Sequence, residues 1–431
     1  MAEARPILSK GPRTWVEMVG DSVTMGNIVT AAWPQVYYNV ALGAVVPLAP
    51  FYGKELGLTA LQTATLVAAI QPGFILGYGS FAMLSDWGFS TRTINLMGAS
   101  LCTFPAIIVA ASPTFLSLVL FQVLQGIGLA WMMSSMQGAL FRVTDPAIFG
   151  RALGIMSILV VFGILFGLLM PQFYAAGGIP LVFTVVGVLG LLMLVYLSCC
   201  APARMFKHDG VAAAAGVPWY RRLGLVVSVP ATLALLIVGA GIAVLWLGGW
   251  AIFPQVLAGR YLLSASAIAQ VFAAVQIART VMAGPGGSLA DAWPGTALVA
   301  GLAVLKVVVL LMTAQAVNWA VAGAATAVLA LGVYVTIGDS IPNGGLLGPA
   351  FHKLFAAVHS SVGKGSMEEA YSMFGIFMSL GALAGPLIGG YAYQVGGFDF
   401  AAVMLALAGA SVFVPAQVVL SFAWSPTPVV E

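Results

Sequence analysis

The sequence predicts an all-α membrane protein, with twelve transmembrane helices in two pseudo-symmetric six-helix bundles and both termini cytoplasmic. Three observations carry this. Of 431 residues, 61% are hydrophobic and only 7% charged, whereas a soluble domain carries about 25% charged residues. Apolar runs long enough to cross a bilayer, roughly 20 residues each, recur along the whole chain. A single long polar connection divides these runs into six and six. Composition alone excludes a soluble enzyme.

In chain order, residues 1–25 contain Glu3, Arg5, Lys10, Arg13, Glu17 and Asp21 with no apolar core. This pattern reads as a cytoplasmic segment and not as a cleaved signal peptide. The first bundle, 26–200, holds spans at about 26–50, 59–83, 93–112, 114–139, 150–175 and 179–200. A cytoplasmic linker, 201–225, follows with Arg204, Lys207, His208, Asp209, Arg221 and Arg222. The second bundle, 226–424, holds spans at about 226–257, 264–286, 296–316, 322–348, 370–395 and 399–423, before a tail at 425–431. Gly and Pro inside these runs are tolerated where neighbouring helices satisfy the freed backbone groups.

The basic residues orient the chain. With the amino terminus inside, twelve of them fall on cytoplasmic segments and only Lys54 and Arg260 on the opposite face, leaving Arg279 and Lys306 within spans. That asymmetry obeys the positive-inside rule. The 16 basic and 13 acidic residues give a net charge of +3, and no basic run is long enough to bind nucleic acid. Cys102, Cys199 and Cys200 lack the spacing of a disulfide framework or a zinc site. His352 and His359 read as solvated loop residues, and neither a phosphate loop nor an intramembrane protease signature is complete. No cofactor is expected.

The halves resemble each other. A shift of 205 residues lays 58–71 on 263–276 with six identities in fourteen, and carries Gly79 to Gly284, Leu84 to Leu289 and Asp86 to Asp291 without a gap. Internal repeats of this kind are typical of secondary transporters. The six-plus-six pattern, the basic central loop and a Leu-Ser/Ala-Asp after the second and eighth spans resemble the major facilitator superfamily. Its loop signature, Gly-x-Leu-Ala-Asp-Arg-x-Gly-Arg-Arg, stands here as Ala82-Met83-Leu84-Ser85-Asp86-Trp87-Gly88 with Arg92 beyond, and as Gly287-Ser288-Leu289-Ala290-Asp291. A carboxylate at a helix end can hold a neighbouring helix N-terminus or an Arg, so Asp86, Arg92 and Asp291 are expected in gating loops. Trp87 replaces the signature Arg, which weakens the expected latch.

Finer similarities point to the drug:proton antiporter and vesicular amine transporter branch. Val45-Val46-Pro47-Leu48-Ala49-Pro50 resembles the end of its first helix, Leu124-Gln125-Gly126-Ile127-Gly128 its fourth, and Gly338-Asp339-Ser340 the acidic position of its tenth. Gly381-Ala382-Leu383-Ala384-Gly385-Pro386 resembles its eleventh helix, where small residues allow close helix approach. Gly163 and Gly167 are expected to pack the fifth helix likewise, although Leu168 follows where antiporters carry Pro. Gln122 stands where the family has Arg, and Tyr38, beside Asn39, where amine transporters have an acid.

Ionisable residues within spans mark transport paths or proton sites. Asp339 is the expected proton carrier, since burial raises a carboxyl pKa toward neutrality. Arg279 is its expected switchable partner or a group for an anionic substrate. Lys306, ten residues into its span, either snorkels or faces the cavity. Gln35 and Asn39, one helical turn apart, Tyr38, and the pair Gln122 and Gln125 are the expected cavity lining. Trp246 and Trp250 either line the cavity or face lipid, and the reading favours lipid. The function expected is proton-coupled, alternating-access antiport of a drug or amine by a monomer in a cell (inner or plasma) membrane. Two alternatives stand beside it: an organic anion carrier using Arg279 and Lys306, and a non-transporting receptor or assembly factor on a carrier scaffold.

Overall fold

A computed structural model describes residues 22–143, 159, 162–206, 218–274 and 367–423, with isolated positions at 277, 301, 304–305, 307–308 and 310–311. Every regular element among them is helical. In order they are α1 (Ser22–Val45), α2 (Ala49–Glu55), α3 (Ala60–Ala68), α4 (Ile70–Asp86), α5 (Thr91–Ala111), α6 (Phe115–Val143) and α7 (Met170–Cys199). After a 3-10 turn at Ala203–Phe206 come α8 (Trp219–Val227), α9 (Pro230–Gly259), α10 (Ala265–Ala274) and α11 (Met367–Ala423). Six stretches among the described residues are long and apolar enough to cross a membrane. The protein is an integral, multi-pass membrane protein.

Local chemistry sets the helix ends. The first helix stops at Val45, short of the expected 50, because Pro47 and Pro50 lack the N–H that would continue its ladder; a turn follows, and α2 restarts at Ala49. Thr59 starts α3 with a reciprocal capping box, its hydroxyl accepting from the Gln62 N–H at 3.2 Å while the Gln62 side-chain Oε1 accepts from the Thr59 N–H at 2.9 Å. Ser90 caps α5 through the Thr93 N–H. Two long helices are each a pair joined at glycine. α7 breaks at Gly177 and Gly178, and α11 at Gly397 with φ 73°, backbone that only glycine adopts cheaply. Part of the linker, residues 219–225, is helical and belongs to α8.

The 205-residue repeat is structural as well as sequential. Gly57 (φ 67°) and Leu262 (φ 53°) both take left-handed backbone at equivalent positions. Ser264, equivalent to Thr59, accepts from the Ala267 N–H at 3.3 Å. Leu262 is 84% exposed, so its conformation carries strain without packing in return. Left-handed backbone costs an L-residue about 1–2 kcal/mol, and glycine gives back about 0.5–1 kcal/mol through unfolded-chain entropy. Leu262→Gly is therefore expected to stabilise by up to about 1 kcal/mol, read as a higher thermal midpoint of purified protein; a lower midpoint contradicts the strain.

Helices meet where side chains vanish. Within a bilayer, burial earns no hydrophobic gain over lipid, so close van der Waals contact decides association. A Cβ on Gly163 would stand 2.3 Å from the Val36 carbonyl oxygen, and one on Gly167 3.2 Å from that of Asn39. A Cβ on Gly381 would stand 1.9 Å from the Ala240 carbonyl oxygen, and one on Gly385 2.3 Å from that of Val244. The repeat shift carries Asn39 to Val244 and Gly43 to Gly248, so the contact of α1 with the Gly163–Gly167 segment and that of α9 with α11 are alike. Pro386 lies beside Gly385, inside α11. Asn95 adds a polar link, donating to Ser135 Oγ of α6 at 2.8 Å.

Candidate functional site

The two halves meet along α1, α3 and α4 on one side and α9, α10 and α11 on the other. At the end of the joint away from the basic loops, the contact is apolar. Val46, Ala49, Ala64 and Val67 share one buried cluster with Trp250, Phe253, Val256 and Leu405, which closes that face. Below it lies a cavity of about 40 Å³, lined by Asn39, Gly43, Gly167, Trp250, Phe272 and Ala273 among others. A water needs about 10–15 Å³ by this measure, so among the described residues this pocket has room for a few waters.

Aromatic rings flank the joint from both halves. Tyr38 meets Phe74 edge-on at 5.7 Å, and Phe74 stacks on Tyr78 at 5.7 Å. Gly375 of α11 lies directly against the Tyr78 ring. From the other half, Trp246 meets Trp250 at 6.0 Å and Trp250 meets Phe272 at 5.0 Å, both near perpendicular. The lipid reading of these tryptophans is corrected for Trp250, which is only 4% exposed: ring–ring contact across α9 and α10 holds it inward. Phe74 and Tyr78 were missed in the sequence, though aromatic residues one turn apart on the span ending in the loop signature were the available signal.

The polar residues fall as follows. Asn39 lines the cavity, with its amide Nδ2 donating to the Gln35 carbonyl at 2.8 Å. Gln122 is buried and donates to the Leu66 carbonyl of α3 at 3.3 Å. Gln125 is wholly buried, and neither end of its amide finds a partner among the described residues; a buried amide in that state calls for a water or a polar group of a solute. Neither glutamine lines the cavity. Arg279, Lys306, Asp291 and Asp339 lie outside the described residues.

The loop after α4 supplies the clearest polar geometry. Asp86 accepts from Arg222 Nη2 at 2.7 Å and from the Trp219 backbone N–H at 3.1 Å. It thus satisfies an orphan donor of the α8 N-terminus and pairs with a cation at once. The cation missing at Trp87 is supplied from 136 residues along the chain. Because Val226 of α8 shares a buried cluster with Leu235 and Phe413, this latch ties the first bundle to the second at the basic face. Arg92 takes no part in it. Its guanidinium donates to the Ser198 carbonyl and lies 5.9 Å over the Phe206 ring, fastening α5 to the end of α7.

The sequence model of the Major Facilitator Superfamily matches residues 35–344. Among solved structures, the chain is similar to a bacterial homolog of the human lysosomal transporter Spinster, crystallised inward-facing and unoccupied. The two align with a TM-score of 0.63 and 15% identity over 94% of this chain and 100% of that one. No curated protein sequence matches.

Proposed function

Since the chain belongs to the Major Facilitator Superfamily, and is a membrane transporter and not an enzyme, we propose that it moves a lipophilic organic solute, neutral or cationic, by proton-coupled antiport. The observation that supports this reading is the aromatic character of both sides of the bundle joint, with Tyr38, Phe74 and Tyr78 in contact in the first half, Trp246, Trp250 and Phe272 in contact in the second, and Asn39 lining the pocket beside Trp250 and Phe272. Aromatic faces attract organic cations through the ring quadrupole and accept apolar bodies equally well. Rocking of the two bundles would expose such a wall to each side in turn. The sequence carries no complete phosphate loop, so the energy is assigned to a gradient, with Asp339 loading the proton and Arg279 pairing with it when the proton leaves. The Spinster-like structure supports the fold alone.

The test uses the purified protein in proteoliposomes with a trapped pH dye, challenged with amines and carboxylates. A luminal pH change with amines only is expected, abolished in Asp339→Asn while solute exchange partly persists. A wild-type pH response in Asp339→Asn overturns the proton assignment. A response to carboxylates only, lost in Arg279→Gln, transfers the site to Arg279 and Lys306 and overturns the lipophilic reading.

A further inference from the structure

The outward face of α8 has no role in the latch. Arg222, Leu223 and Val226 point inward and are buried. Tyr220, Arg221, Gly224 and Leu225 point outward and are exposed, Tyr220 to 57%. A helix with Tyr and Leu facing outward is poorly suited to water, yet α8 ends three residues before the membrane-spanning α9 begins at Pro230. Its outer face therefore lies at the bilayer boundary, where Tyr sits at headgroup depth and Leu reaches the acyl region.

A second element joins it. The loop after α4 exposes Trp87 to 66%, and Phe89 beside it. Asp86 fixes this loop alongside α8 through its bonds to Trp219 and Arg222. Trp87 thus stands where the loop signature carries Arg, with Phe89 beside it, next to a helix whose outer face carries Tyr220 and Leu225. Asp86 is committed to Arg222 and Trp219, so it does not neutralise Arg221, whose side chain forms no ion pair among the described residues. The same face carries the excess of basic residues.

We propose that α8 and the loop after α4 form a headgroup site for an anionic phospholipid of the inner leaflet. Arg221 pairs with the phosphate through its planar fork, while Tyr220, Leu225, Trp87 and Phe89 seat against the glycerol and upper acyl chains. The charge selects the lipid, and the rings set the depth. This site is independent of whether the protein transports an amine or an anion, and the experiment reads no transport.

The experiment is hydrogen exchange on residues 219–228 of the full-length protein in nanodiscs of phosphatidylcholine alone or mixed equally with phosphatidylglycerol. Exchange is expected to slow in the phosphatidylglycerol discs at low salt. Arg221→Gln is expected to lose about fivefold of that protection, the factor for one basic residue at an anionic surface, and to match wild type in phosphatidylcholine. Leu225→Ser, altered on the same face without touching the charge, is expected to lower protection in both lipids. Equal exchange in the two lipids overturns the proposal, as does full phosphatidylglycerol protection in Arg221→Gln. Inorganic phosphate added to phosphatidylcholine discs is expected to do nothing; protection by it means a free-anion site and overturns the lipid assignment. A matching thermal midpoint for wild type and Arg221→Gln keeps loss of fold from imitating loss of binding.

Discussion

Replacing Gly381 with valine is expected to destroy most of the folded, monodisperse protein. The reason is backbone against backbone. A Cβ at this position would stand 1.9 Å from the Ala240 carbonyl oxygen and 2.7 Å from its carbon. Neither atom belongs to a side chain that can rotate away, so α9 and α11 must separate. Separation also loosens Gly385 against Val244 and Gly248 against Leu405, which share the same seam. Overpacking costs about 1–3 kcal/mol and occasionally more, and a rigid carbonyl places this site at the upper end. Size-exclusion profiles and thermal midpoints in detergent report the loss. Gly79→Val is the control, since nothing lies within 4 Å of its Cβ position. A Gly381→Val protein with the wild-type midpoint would mean that the helices do not approach so closely.

Asp86→Ala is expected to open the basic face. The substitution takes the Asp86 carboxylate from the buried Arg222 guanidinium and uncaps the Trp219 N–H in one step. Breaking a fully buried ion pair costs about 3–5 kcal/mol, but Asp86 is partly exposed and water offsets some of the loss, so about 1–3 kcal/mol is expected. A shift of 1.4 kcal/mol moves a two-state equilibrium tenfold. Cysteine-labelling rates along the inner halves of α4 and α11 should therefore rise about tenfold or more. Asp86→Asn retains an acceptor for the Trp219 N–H and should fall between wild type and Asp86→Ala. In Arg222→Ala the added effect of Asp86→Ala should shrink, because the partner is already gone. Additive effects in the double variant would show that the two residues act separately.

Much of the fold was readable in the residues themselves. A charged fraction of 7% excludes a soluble chain, and apolar runs of spanning length mark the helices. The 205-residue shift disclosed the repeat, and glycines four apart at 163 and 167 and at 381 and 385 marked seams at which two helices touch. Each of these is a local property, set by composition, period and the absence of a Cβ. Other features depended on what stands across a gap. Trp250 turns inward onto Phe272, Gln122 spends its amide on Leu66, and Asp86 finds its cation in Arg222 on a helix that hydropathy gave no reason to expect. Helical periodicity defines a face, but lipid and a neighbouring helix are equally apolar, so hydropathy cannot say which of them that face meets. Only the packed structure decides it, through shape and through the need of each buried donor for an acceptor.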